Sequence, residues 1–427
     1  MLHRLPYTLI WLFALPFVLL RLLWRARLQP AYLKHLGERF GSYRIRAPGP
    51  TIWLHAVSVG ETRAAEPLIR ALLAQWPEHT VVLTHMTPTG RATSKALFGN
   101  ESRVLRVYLP YDIGWLAKRF LRHFHPDFGV IMETELWPNL LASCRRQQIP
   151  VLLANARLSG RSARRYARLP ALTRLTLGAL SAIAAQTAAD AARFNSLGAR
   201  RISITGNIKF DIEPPADALA LATVFRERIG PRKVILAAST REGEEALLLD
   251  AFATRAPADV LLLLVPRHPQ RFDEVAQLVA GHGLRLQRRS AAGPVAAETR
   301  VLLGDSMGEM FAYYASADIA LIGGSWLPFG GQNLIEACAV GTPALVGPHT
   351  FNFLQVAEQA IATGAALRQE SLAQAIDTAL GLLEQPDRHQ AMAAAGRDFA
   401  TDNRGATVRT IDLLRDIARK RPQTAGL

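Results

Sequence analysis

The sequence predicts an α/β protein made of two Rossmann-like domains with parallel sheets, preceded by an apolar N-terminal helix. Three observations carry that prediction. Short apolar runs alternate with longer amphipathic stretches from Thr51 onward, the pattern of strands joined by crossover helices. The alternation pauses once, between Gly206 and Pro215, and then restarts. Glycine-rich turns follow the apolar runs, most densely from Gly323 to Gly331 after Ile319–Ile322. At 427 residues the chain has room for two to three domains with substantial cores.

The N-terminus, LPYTLIWLFALPFVLL between Arg4 and Arg21, holds 16 residues without a charge. At about 1.5 Å per residue this run covers roughly 24 Å, short of a ~30 Å hydrocarbon core unless Arg21 snorkels. No small-residue cleavage site follows, so the segment reads as an uncleaved anchor that just spans or lies in the interface. A buried amphipathic helix is the weaker reading, because apolar residues fill every face. Arg25, Arg27, Lys34, Arg39, Arg44 and Arg46 follow, against Glu38 alone. That excess places the rest of the chain on the cytoplasmic side.

Strands are expected at 51–57, 80–84, 104–109, 128–132, 150–154 and 181–185, with helices between them. Gly206 to Pro215 reads as a linker. A second set is expected near 233–238, 260–265, 283–286, 300–303, 318–322 and 343–346, then a long last helix at about 387–418. The expected division is an anchor at 1–24, a first domain at 25–206 and a second at 207–427. Two such domains facing across a cleft make the arrangement called GT-B. A lone GxGxxG, the rival dinucleotide signal, is missing.

Charge separates the halves. The formal net charge is +15, with +18 in residues 1–206 and −3 in the remainder. A basic half beside a near-neutral one suggests that the first faces an anionic surface while the second holds a small ligand. Nucleic acid is the rival anionic partner, but zinc-finger spacing and RNP-like motifs are absent. Cys144 and Cys338 lie in different halves within expected helices, which argues against a disulfide and for a reducing compartment.

Candidate chemistry gathers at strand ends. His55-Ala56-Val57-Ser58-Val59-Gly60-Glu61 closes the first strand and puts Glu61 in the first turn of a helix. There the helix dipole would keep it ionised and available as a base. Ser58 and Glu61 also have capping-box spacing, a purely structural alternative. Glu133, at the end of the fourth strand, should reach the same edge, so two acids could divide proton transfer and positioning. Trp137-Pro138 reads as packing plus a helix start. Arg157, Arg161, Arg164, Arg165 and Arg168 would line one helical face, either solvated or turned to a membrane or phosphate.

In the second half, Ser239, Thr240 and Arg241 follow a strand; Arg241 suits a phosphate and Ser239 or Thr240 could cap. Pro266-Arg267-His268-Pro269 ends the next strand, with two prolines fixing the loop around Arg267 and His268. Gly304 to Glu309, including Met307 and Gly308, and the helix expected to begin near Asn333 form a pair of strand–glycine–helix turns suited to a nucleotide. Asn333 and Glu336 have capping spacing, and Glu336 could instead bond ribose hydroxyls. Lys209, in the linker, would project from neither core and suit a developing negative charge. Asp-x-Asp, HExxH and CxxC patterns are absent, so no metal site is expected.

Ten ordered segments then carry a resemblance: HAVSVGE, MTPTG, ETELWPN, NARLS, GNIKFD, STREGEE, VPRHPQRF, GDSMGEM, GGQNLIEA and GPHTFNF. Together they resemble the bacterial 3-deoxy-D-manno-oct-2-ulosonic acid (Kdo) transferases of lipopolysaccharide assembly, over nearly the whole chain. The resemblance implies an inner-membrane GT-B enzyme with one N-terminal anchor and cytoplasmic catalytic domains. It implies inverting transfer of Kdo from CMP-Kdo to a lipid A precursor of lipid IVA type, without metal or other cofactor. Glu61 would be the proton acceptor, and Glu133 and Lys209 transition-state stabilisers. CMP would meet Pro266, Arg267, Met307, Gly308, Glu309, Asn333, Leu334, Ile335 and Glu336. The first domain would bind acceptor and the second donor. A nucleotide-sugar 2-epimerase of the same architecture would need neither the anchor nor the basic half.

Overall fold

The computed structural model describes residues 4–291 and 293–419. The chain divides into two compact units, Met1–Asp211 with Arg404–Leu427, and Ile212–Asn403. In the first, β1 (Thr51–His55), β2 (Thr80–His85), β3 (Val104–Tyr108), β4 (Pro126–Met132), β5 (Val151–Ala156), β6 (Ala182–Ala185) and β7 (Ile202–Ile204) form one sheet. Its order is β3-β2-β1-β4-β5-β6-β7, and every pairing is parallel. Helices cover both faces, which is why the strands read as continuous apolar runs. Successive residues still face opposite sides: Ile52 and Leu54 enter one core, Trp53 the other. Gly129 on β4 leaves room for the Trp53 ring, since a Cβ there would come within 2.6 Å of it.

The second unit repeats the plan with β8 (Lys233–Thr240), β9 (Val260–Pro266), β10 (Leu286–Arg288), β11 (Val301–Leu303), β12 (Ile319–Ile322), β13 (Ala344–Val346) and β14 (Ala366–Arg368). The order is β10-β11-β9-β8-β12-β13-β14, again all parallel. The topological reversal falls between β1 and β4 in one sheet and between β8 and β12 in the other. In open α/β sheets, ligands bind at the carboxyl ends of strands beside that reversal.

Several expectations are corrected. The long last helix is two, Pro386–Asp402 and Ala406–Arg419, broken where Gly405 takes φ 91°. The second of these belongs to the first unit, burying Ala406, Ile411, Leu414 and Ile417 beside Ile52, Leu54 and Leu72. Asp211 fixes that return by accepting the N–H of Gly405 at 2.6 Å and of Thr407 at 2.5 Å. Hence the division at 206/207, with everything after it in the second domain, does not hold. Most of the presumed linker is packed chain, with Ile208 and Phe210 buried in a short 3₁₀ turn. Strand β14 escaped the sequence reading because three residues carry too little pattern, and β10 starts three residues later than expected.

The apolar N-terminus is a helix from Leu5 to Leu28, long and apolar enough to cross a membrane. One stripe of it, including Trp11, Leu15 and Val18, packs on Tyr111, Ile113 and Leu116 of the first unit. Ile10, Phe13, Phe17, Leu20, Trp24 and Leu28 remain exposed on its other faces.

Candidate active site

In the first unit, Glu61 leaves the end of β1 and Glu133 the end of β4, the two neighbours at the reversal. The capping box forms: Ser58 is the N-cap of the helix Val59–Ala64 and accepts the Glu61 N–H at 3.4 Å. The Glu61 side chain answers, accepting from Val57 N–H and the Ser58 hydroxyl, each at 2.9 Å. One contact to each carboxylate oxygen leaves further lone pairs, so capping and proton acceptance are compatible. The helix dipole does not win, as the sequence reading had it. The carboxyl is raised to about 7, chiefly by burial and further by the charges of Glu133 and Glu135, against the downward pull of the Val57 N–H and the Ser58 hydroxyl. His85 braces this loop from below, with Nδ1 2.8 Å from the Ala56 carbonyl; burial depresses its pKa to about 4 and keeps the ring neutral.

Glu133 sits in the left-handed region at φ 57°, its N–H donating to Ala154 O at 2.9 Å. Lys209 Nζ lies 3.9 Å from Glu133 Oε1. Lys209 therefore belongs to the first unit, beside the acids, not to a free linker. Asn155, at φ 51°, explains its place: its Oδ1 accepts the Ile208 N–H at 3.1 Å. The NARLS segment contained this residue, but nothing in its spacing revealed a contact 53 positions away. Burial also raises the pKa of Glu135, a third acid at this edge that the sequence reading left without a role. Of the basic run, Arg161, Arg164, Arg165 and Arg168 are exposed on or beside the helix Gly160–Ala167, while Arg157 lies outside it.

In the second unit, Ser239 stands next to last in β8 at φ 57°, and Thr240, its last residue, is buried, donating to Glu245 at 2.8 Å. Neither caps the next helix; Gly243 takes the N-cap position. Glu133, Asn155 and Ser239 are three of the six non-glycine residues with positive φ among the described residues, so backbone strain concentrates at these strand ends. The Arg241 guanidinium stacks 4.6 Å over Phe329. Arg267 follows buried Pro266, its N–H bonding Thr240 O at 3.0 Å. His268 is exposed, and its pKa is lowered by partial burial and by Arg241, Arg267 and Arg271. Arg241, Arg267 and His268 thus gather at the ends of β8 and β9, with Arg271 held by Glu245 and Glu274.

The remaining candidates divide. Met307 is exposed and Gly308 takes φ 86°, but the Glu309 carboxylate is engaged by Arg289 at 2.8 and 2.7 Å. Gly304 to Gly308 also has G-x-S-x-G spacing, but the Ser306 hydroxyl is spent on Glu309 and Tyr313. Asn333 bonds Glu336 at 3.1 Å, and the helix starts at Ile335, two residues late. Leu334 and Ile335 are buried, leaving only backbone for a ligand. The glycines of 323–331 mainly serve chain packing: a Cβ on Gly323 would come within 2.5 Å of the Ser239 carbonyl. Glu244, missed from sequence, is almost wholly buried and accepts N–H groups from Arg241, Gly324 and Trp326 at 2.8, 2.7 and 3.0 Å. It ties the end of β8 to the loop after β12.

Two parallel-sheet units of this topology, with polar groups at their carboxyl edges, are of the GT-B fold class. The Anabaena protein HepE, solved with UDP, shares this fold at TM-score 0.60 and 14% identity, over 87% of this chain and 100% of that one. Residues 34–212 match the family described as 3-deoxy-D-manno-octulosonic-acid transferase, and residues 239–399 match glycosyl transferases group 1. The 3-deoxy-D-manno-octulosonic acid transferase of Bordetella pertussis is 47% identical over 88% of this chain and 90% of its own length. That of Haemophilus influenzae is 38% identical over 96% and 98%. The chain belongs to the 3-deoxy-D-manno-octulosonic acid (Kdo) transferase family.

Proposed function

We propose that the protein transfers Kdo from CMP-Kdo to a lipid A precursor of lipid IVA type in lipopolysaccharide synthesis, by one inverting displacement. The first unit binds the acceptor and supplies the base; the second binds the donor. Glu61 takes the proton from an acceptor hydroxyl as that oxygen attacks the anomeric carbon of Kdo, and the bond to CMP breaks. Glu133 and Lys209 stabilise the transition state, and Arg241 and Arg267 hold the cytidine phosphate. Ser239, Met307, Gly308 and the Asn333–Glu336 segment complete the donor contacts through polar side chains or backbone. This chemistry assigns charge neutralisation to protein cations and invokes no metal.

The observation that carries the reading is Glu61, a half-buried acid with both oxygens oriented and its pKa raised to about 7, beside the Glu133–Lys209 pair. A base is most effective with a pKa near the working pH. The acceptor's phosphates suit the basic half, and exposed Arg161, Arg164, Arg165 and Arg168 are the side chains offered to them or to anionic lipid. We place the enzyme on the cytoplasmic face of the inner membrane. One stripe of the Leu5–Leu28 helix is packed on the first unit, which favours a helix lying in the membrane surface over one crossing it. Incubating purified protein with CMP-Kdo and a tetra-acylated, phosphorylated disaccharide should give an acceptor heavier by one or more Kdo units. CMP-Kdo left unconsumed, with the acceptor mass unchanged, would reject the assignment.

A further inference from the structure

The first turns of the apolar helix reach the segment that carries the acids. Asp112, nearly fully buried after β3, accepts the N–H groups of Asn139 at 3.0 Å and Leu140 at 2.8 Å. These are the first free donors of the helix Pro138–Arg146, so Asp112 fixes where that helix begins. Residues 133–137, with Glu133 and Glu135, run directly into it. Asn139 is buried too, and its Nδ2 donates both to Asp112 O at 2.8 Å and to Thr8 Oγ1 at 3.1 Å. Thr8 donates in turn to Arg4 O at 3.0 Å. Tyr7 stands beside Asp112 and accepts from the Trp11 indole at 2.8 Å. Trp11 itself packs on Tyr111, ring centres 5.9 Å apart.

The acidic segment is thus held at two ends. At one, Glu133 N–H bonds Ala154 O of β5. At the other, the Asp112–Asn139 pair bonds the N-terminal helix. We propose that Tyr7 and Thr8 are positioning residues for transfer: through Asn139 and Asp112 they set the start of the Pro138–Arg146 helix and thereby the Glu133 segment. The helix that seats the protein on its membrane is in this view also part of the acidic site's scaffold. The inference rests on the reading of Glu61 and Glu133 given above.

The test uses the full-length protein on anionic lipid vesicles, with turnover, donor KM and vesicle flotation read together. Tyr7→Phe/Thr8→Val removes two hydroxyls and almost no volume. The expected result is a kcat lowered about five- to tenfold, the scale of a lost buried hydrogen bond or two. Donor KM and flotation should stay within about twofold of wild type, and Thr8→Ser, which keeps the hydroxyl, should keep kcat. Thr8→Val alone is read in the same way if the double variant does not fold. An unchanged kcat overturns the proposal, as does a loss matched by lost flotation or a raised donor KM. Glu61→Ala, run alongside, separates the two levels. Retained turnover there rejects the reading of the site, whereas loss there with normal Tyr7→Phe/Thr8→Val turnover rejects only the positioning role.

Discussion

The two units share a plan but use their acids differently. At the edge of the first sheet, Glu61 accepts two hydrogen bonds and sits near two further carboxylates, with acceptor capacity left over. At the edge of the second, Glu244 is filled by backbone amides and Glu309 is paired with Arg289, while Glu245 takes both Thr240 and Arg271 on one oxygen and keeps the other buried. Acids bound in this way hold loops, two of them through Arg271 and Arg289. An acid left half satisfied can exchange a proton. The same sheet topology thus presents an acid with acceptor capacity to spare at one edge and acids held by amides or arginines at the other, the contrast on which the proposed division into base and anion site builds.

The comparison breaks most visibly at Glu61. Glu61→Ala should lower transfer by about a hundredfold or more while CMP affinity, measured by calorimetry, stays within about twofold. Glu244→Ala should do the reverse kind of damage. Stripping the carboxylate from buried amides should cost about 3 kcal/mol of stability, read from denaturant unfolding of the full chain. Arg241→Ala should weaken CMP binding by roughly tenfold, the scale of a charge-assisted contact, without moving the pH dependence set by the first unit.

Much of this was legible in the sequence, for definite reasons. Buried parallel strands show as unbroken apolar runs, so most strands and both sheets could be read. Polar residues just after apolar strands stand out in a sequence, so the placing of Glu61, Glu133, Arg241 and Arg267 at strand ends could be read. What stayed hidden depends on distance in space. Nothing local says that Asp211 caps a helix at Gly405, or that Asn155 holds Ile208 and so brings Lys209 to Glu133. The Glu61 pKa was misjudged for a related reason. A helix start is visible in sequence and argues for a low value, whereas the burial that dominates comes from the folded surroundings. Glu244 and Glu245 carry no sequence signal of their own; the loop arriving from β12 and Arg271 make them structural.

The difference between the edges finally rests on one carboxyl that burial has tuned, and its titration is the direct test. A base must be ionised to act, so kcat/KM should rise with pH through an apparent pKa near 7 and fall away in acid. The charge of Glu133 helps to raise that pKa, so Glu133→Gln should move the acid limb to lower pH, whatever it does to the plateau. A pH–rate profile measured on both proteins with saturating CMP-Kdo decides the matter. A limb near neutrality that shifts downward in Glu133→Gln is the predicted result. A flat profile between pH 5 and 8, or a limb that Glu133→Gln leaves in place, would contradict the account.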